Sequence, residues 1–203
     1  KMTGERFADQ DVELNVPKTE FVGYSETKAQ AKVLMVNKKG SDVRIILDKT
    51  PFYAESGGQV GDTGYITSVS GKIRVTDTQK VNDIYIHYGQ FESGEIKEGD
   101  KVEAIIDEAR RQNIKRNHTA TPLLQSALRE TLGTHIKQQG SLVEEGRLRF
   151  DFAHPSGIKP EQMQKIESRI AEFIGKADKV SVEVLPLEEA KKKGALAFFA
   201  EKY

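Results

Sequence analysis

The stretch KVEAIIDEARRQNIKRN, residues 101–117, decides how this chain is to be divided. KVEAIID ends a series of short β-rich segments. Asp107 then offers a side-chain oxygen suited to the unpaired N–H groups that open a helix, and EARRQNIKRN follows. Upstream, AKVLMVN, DVRIILD, YITSVS, KIRVTDT and IYIHYG recur between clusters of Gly, Asp and Asn. Strands at that spacing, separated by turn residues, predict a small antiparallel barrel or sandwich over residues 30–106. Residues 1–29 are polar and weakly periodic, and read as an irregular or helical lead-in.

Downstream the pattern is mixed. PLLQSALRETLGTHI puts Leu123, Leu124, Ala127, Leu128, Thr131 and Leu132 on one stripe, which predicts a second helix. In LRFDF, Leu148, Phe150 and Phe152 alternate with Arg149 and Asp151, as in a half-buried strand. PEQMQKIESRIAEFIG carries an apolar face, with Pro160 suited to its first turn and Gly175 to its C-terminal cap. VSVEVLP predicts a further strand, and LEEAKKKG a short helix ending at Gly194. The expected fold class is therefore α+β: a small antiparallel β-barrel with its lead-in over residues 1–108, then an α+β domain over 109–203.

Composition narrows the function. Lys plus Arg and Asp plus Glu are both 31, so the net charge is zero, which disfavours a globally basic nucleic-acid binder but allows a local basic face. The chain has no cysteine, so it contains neither a disulfide nor a thiolate metal site of its own. No apolar run approaches the length of a membrane span, and no signal pattern opens the chain, so it reads as soluble and cytoplasmic. The ends, Lys1-Met2 and FFAEKY, read as those of a piece excised from a longer chain.

Three segments carry candidate chemistry. TPFYAESGGQVGDTG (50–64) has glycines at 57, 58, 61 and 64, giving a backbone that another group can approach closely. Its alternative reading is a glycine-rich hairpin loop. RRQNIKRNH (110–118) places Arg110, Arg111, Lys115 and Arg116 near His118, either as phosphate contacts or as a solvated helix face. RNHTATPLL raises the third question. A histidine at 122 would complete H-x-x-x-H, two imidazoles one helical turn apart, but Pro122 stands there. Proline lacks the N–H that would bond to the carbonyl of residue 118, so TPLL predicts Thr121 at an N-cap and a break or kink between 117 and 122. Gln138 and Gln139 read as polar groups in a turn, and His135 and His154 as structural.

Taken in order and spacing, TPFYAESGGQVGDTG, RNHTATPLL, LGTHIKQQGSLV and LRFDFAH resemble the central region of the alanyl-tRNA synthetase family. The resemblance runs from about Phe21 to the C-terminus. It implies a translation-factor-like barrel followed by part of the editing fold shared with threonyl-tRNA synthetase. It also implies a ligase that uses ATP and magnesium in a region this chain lacks, and an editing activity that hydrolyses tRNA(Ala) mischarged with serine or glycine. The family's editing zinc is held by H-x-x-x-H and a later C-x-x-x-H. His118 matches the first ligand, and Pro122 occupies the place of the second.

By the same resemblance Gln138, Thr119 and Thr121 lie at the catalytic pocket, and Gly57 and Gly58 belong to a motif that helps discriminate substrates. Arg110, Arg111 and Lys115 would contact the tRNA. The partners implied are tRNA(Ala) and its mischarged forms, not DNA or a membrane. With one of four zinc ligands present, the chain alone is expected to be inactive and zinc-free. The alternatives are a free-standing editing hydrolase of the same superfamily and a non-catalytic tRNA-docking module.

Overall fold

A computed structural model describes residues 15–195; the first part of the lead-in and the closing FFAEKY lie outside the described residues. These divide into two compact units. The first comprises the described residues through Arg116 together with Val143–Arg147, and the second comprises Asn117–Leu142 with the described residues from Leu148.

The first unit is built on six strands: β2 (Lys28–Lys39), β3 (Asp42–Leu47), β5 (Gly64–Thr67), β6 (Gly71–Val81), β7 (Ile84–Gly94) and β8 (Lys101–Ile106). They close into an antiparallel barrel in the order β2-β3-β7-β6-β5-β8, with β8 pairing back onto β2. Each β-rich segment read over residues 30–106 contributes one of these strands. Alternation explains the closure. In β2, Ala29, Ala31 and Val33 point inward while Lys28, Gln30 and Lys32 face water, and in β8 Val102, Ala104 and Ile106 do the same. Val43, Ile45, Leu47, Ile66, Ile73 and Val75 fill the interior. Small side chains on β2 and β8 let a six-stranded wall curve tightly, and bulges in β2 and β6 add local twist.

Tight connections set the register. Asn82 and Asp83, both with positive φ (49° and 64°), form the two-residue turn between β6 and β7. That geometry matches the twist of the flanking strands, and Asn and Asp tolerate it better than most residues. Outside the wall, Ile46, Ile84 and Ile86 are covered by Val16 of the lead-in and by Leu34, Met35 and Tyr88. A short parallel pair, β1 (Glu20–Phe21) with β4 (Lys49–Thr50), lies beside the barrel.

α1 spans Glu108–Leu132. Asp107 is its N-cap: Oδ1 accepts the backbone N–H of Arg110 at 2.9 Å. The helix runs through Pro122 without a break, so of the break or kink expected between 117 and 122 the break does not occur, and neither does a cap at Thr121. One i→i−4 bond is forfeited at the proline. The reason the helix persists is that Leu124, Ala127, Leu128 and Leu132, on the turns that follow, pack into the core of the second unit. α1 ends at Gly133, whose φ of 122° leads the chain out, and Arg129 Nη1 donates to the carbonyls of Thr134 and Ile136.

In the second unit β9 (Gln138–Val143) pairs with β10 (Leu148–Phe152), and α2 covers Pro160–Lys176. Gln138 and Gln139 thus lie in a strand rather than a turn. Ala127, Leu128, Ile136 and Ile166 are its buried residues, with Phe150, Phe152 and Ile170 packed around them. Pro160 takes the first helical position as expected, but α2 passes Gly175 and ends on Ala177 in the left-handed region, whose N–H bonds to the carbonyl of Ile174. VSVEVLP forms no strand among the described residues, and Val180, Val182 and Val184 are exposed. α3 (Leu187–Lys192) closes the described chain. No helix among the described residues is long and apolar enough to cross a membrane.

One buried polar group gives the barrel a pH signature. His87 is fully enclosed, with Nδ1 3.0 Å from the carbonyl oxygen of Ile45 and Nε2 2.7 Å from Thr50 Oγ1. The carbonyl can only accept, so Nδ1 carries the proton and Nε2 accepts from the threonine hydroxyl. Burial lowers the pKa of His87 from 6.5 to about 4. Between those values the unfolded chain takes up a proton that the folded chain refuses. Stability should therefore fall as pH drops from 6.5 towards 4, at up to about 1.4 kcal/mol per pH unit from this group. Urea unfolding at several pH values should show that slope, and His87→Gln should flatten it.

Candidate functional site

The glycine segment 50–64 is a tied loop whose glycines serve two purposes. Gly57 and Gly58 have φ of 60° and 86° and make a two-residue turn, closed by paired bonds between the backbones of Ser56 and Gln59 at 3.1 and 2.9 Å. Gly61 is a close approach. A Cβ there would collide with the carbonyl of Thr78 and lie 2.8 Å from Asp77 Oδ1, so the loop rests directly on the bulged part of β6. The loop tip is also gripped by Val143, the last residue of β9, whose N–H donates to the Gly58 carbonyl at 2.8 Å and whose carbonyl accepts the Val60 N–H at 3.2 Å.

At the loop's base sits Asp62, buried, with one carboxylate oxygen accepting the Tyr53 N–H at 2.8 Å. Arg111 reaches it from the first turn of α1. Nε lies 3.0 Å from both carboxylate oxygens, and Nη2 also bonds to Asp62 Oδ2. The remaining donors go to the carbonyls of Gly23 at 2.8 Å and Pro51 at 3.0 Å. The Arg111 side chain is 7% exposed, and its guanidinium is spent on internal acceptors. Arg110 is likewise occupied: Nη1 donates to the Gly61 carbonyl at 2.8 Å and Nε to Glu145 at 3.0 Å. Lys115 and Arg116 remain on the exposed face of α1, with Arg116 bonded to Asn113 of the same helix. Asp62 escaped sequence reading. Its signal was an acidic residue between two glycines, where burial of a carboxylate demands a cation.

In the second unit, His118 and Thr119 are exposed on α1 and Thr121 is half-buried. Thr121 Oγ1 donates to the carbonyl of Asn117 at 2.9 Å, which leaves its lone pairs as acceptors. Gln138 Nε2 donates to Ser141 Oγ at 2.9 Å, which fixes the amide and leaves Oε1 to accept. Gly140 faces Asp151, whose Oδ2 lies 2.8 Å from where a Cβ would stand. No group of three His, Asp or Glu side chains among the described residues is placed to hold a metal ion. His118 therefore has no set of co-ligands among them, and the described residues do not by themselves fit a zinc ion.

Barrel, tied glycine loop and capped helix together fit a known class. Residues 2–110 match the family described as tRNA synthetases class II (A), and the chain belongs to that family. Within it, the chain is similar to alanine–tRNA ligases. It is 48% identical to that of Acetivibrio thermocellus over 196 residues, covering 92% of this chain and 22% of the relative. It is 44% identical to that of Trichodesmium erythraeum over 205 residues, covering 97% and 24%, and 46% identical to that of Synechococcus elongatus over 208 residues, covering 98% and 23%. The chain thus spans less than a quarter of the length of the curated relatives it matches.

Two measurements test these local arrangements. Arg111→Ala strands a buried carboxylate and should destabilise the first unit by about 3 to 5 kcal/mol, read by chemical denaturation. Pairing it with Asp62→Leu should recover much of that loss, since the lone charge is then gone. Pro122→Ala should restore the bond to the His118 carbonyl and raise stability by up to roughly 3 kcal/mol. An unchanged or lower melting temperature would mean that the helix had already absorbed the proline without strain.

Proposed function

We propose that the chain is the part of an alanine–tRNA ligase that clears tRNA(Ala) of wrongly attached serine or glycine by hydrolysing the ester at the terminal adenosine. What carries this reading is similarity to alanine–tRNA ligases along more than nine-tenths of the chain, covering the glycine loop, the RNHTAT segment and Gln138 alike. The whole protein would join alanine to tRNA(Ala) in the cytoplasm, using ATP and magnesium in a separate region. Zinc would belong to the complete editing site, with His118 as one ligand and Pro122 standing in the place of a second.

The roles proposed for the side chains follow from their free valences. Thr121, its hydroxyl proton committed to Asn117, offers an acceptor for the hydroxyl of a seryl group, and Thr119 offers a second exposed hydroxyl. Alanine lacks that hydroxyl and gains no such bond, which is a basis for sparing the correct product. Gln138, fixed by Ser141, presents an amide oxygen that can orient a water molecule towards the ester carbonyl. By the resemblance, Gly57 and Gly58 in the loop of the first unit help discriminate substrates. Lys115, free of the internal bonds that occupy Arg110 and Arg111, is the member of that basic run left to meet a phosphate.

The test is hydrolysis of Ser-tRNA(Ala) against Ala-tRNA(Ala) by an alanine–tRNA ligase carrying this region. Gln138→Ala should slow removal of serine by roughly 100-fold while aminoacylation with alanine persists. Thr121→Val should narrow the preference for serine over alanine. The chain by itself should remain near the background rate and bind no stoichiometric zinc. Serine removal untouched by both substitutions, or full activity in the isolated chain, would overturn the reading.

A further inference from the structure

The turn that follows β1 presents an aromatic ring to solvent on a rigid mount. Tyr24 is 87% exposed, yet the backbone beneath it is fixed. The Val22 carbonyl accepts the N–H groups of Ser25 and Glu26 at 3.1 and 3.0 Å, and the Gly23 carbonyl is held by Arg111 Nη1 at 2.8 Å. Gly23 admits no side chain, because the Pro51 carbonyl and the Phe21 ring occupy the place of a Cβ. The ring of Tyr24 stands edge-on to Phe21 at 5.1 Å and 79°. Phe21 in turn lies parallel to Tyr85 at 5.3 Å and 7°, and meets Tyr53 edge-on at 6.2 Å. Cations border this group. Lys80 Nζ is 5.7 Å from the centre of the Tyr85 ring, and Lys18 and Lys80 approach the same carboxylate, Asp83, at 3.0 and 3.9 Å. Two ammonium groups against one carboxylate leave one positive charge beside the rings.

We propose that this aromatic platform binds unpaired nucleotides of RNA, a base stacking on Tyr24 and the adjoining phosphates drawn to Lys18 and Lys80. The inference rests on the proposed role of tRNA as partner and extends it to a surface that the editing chemistry does not use. The physical case is that every base has a π-face, so an exposed ring already held in place captures a base without first losing its own freedom. Hydrophobic burial does not explain the ring, since most of its surface remains in water. Burial raises the pKa of both Tyr53 and Tyr85, and the nearby Tyr24 adds to each, so their hydroxyls stay protonated and uncharged beside a phosphate chain. A duplex hides its base faces, so single-stranded segments are the fitting ligand.

The experiment measures binding of the intact chain to a fluorescent eight-nucleotide oligoadenylate, to the same strand annealed to its complement, and to a tRNA transcript, over a series of salt concentrations. The single strand should bind more tightly than the duplex. Tyr24→Ala should weaken single-strand binding roughly ten-fold without changing the salt slope, whereas Tyr24→Phe, which keeps the ring, should stay within about two-fold of the parent. Lys18→Ala with Lys80→Ala should reduce the slope by about 0.7 for each phosphate no longer neutralised. If tRNA binds and Tyr24→Ala makes no difference to either RNA, the platform is overturned and tRNA as partner stands. If neither RNA binds, both fall, and a protein ligand becomes the occupant to seek. Tighter binding of the duplex would also overturn the proposal.

Discussion

The first unit depends on one buried guanidinium. Arg111 is anchored in the opening turn of α1, and its donors reach Asp62 in the glycine loop, Pro51 at the end of β4 and Gly23 in the turn after β1. These three segments are short and have little core of their own. Each would be loose if left to its backbone alone. Burying an ion pair carries a desolvation penalty that hydrophobic residues of similar volume would avoid. What such a pair contributes is direction: a planar fork can satisfy several acceptors only in one arrangement. Arg111 therefore fixes where the loop leaves the barrel and how α1 starts. The cap at Asp107 and the Arg110 bond to the Gly61 carbonyl reinforce the same junction.

The barrel itself rests on a different principle. Its strands were legible because alternation and turn residues are local signals, and the interior they create is almost wholly aliphatic. The Arg111 hub was not legible. From sequence, RRQNIKRN is a basic run, and nothing in the run distinguishes the arginine facing inward from those facing water. That distinction comes from the phase of α1 relative to the barrel, which depends on the Asp107 cap and on Ile114, buried one turn further along. Pro122 illustrates a second limit. The local rule against proline within a helix is sound, but one missing bond is outweighed when the following turns bury Ala127 and Leu128. The valines at 180, 182 and 184 are the converse case: their alternation is real, but a strand needs a neighbour as well as a pattern.

The candidate site was legible in kind rather than in arrangement. Resemblance brought Gly57, Gly58, His118, Thr121 and Gln138 to attention, and the structure adds which valences each has left. Thr121 has its hydroxyl proton committed and its lone pairs free, and Gln138 its amide nitrogen committed and its oxygen free. A residue list cannot carry that information, because it depends on Asn117 and Ser141, which have no motif significance.

The way the chain is threaded has a consequence for how such a protein is inherited and dissected. Residues 143–147 fold with the first unit although the segments on either side fold with the second. The polypeptide therefore passes from one unit to the other at three points, not one. A cut after residue 116 would release a barrel whose glycine loop has lost the strand end that bonds to Gly58 and Val60. Neither unit is a cassette that recombination could move as a single uninterrupted stretch. A lineage that kept only the second unit would have to replace the connection between β9 and β10 with a turn that no longer has a loop to hold.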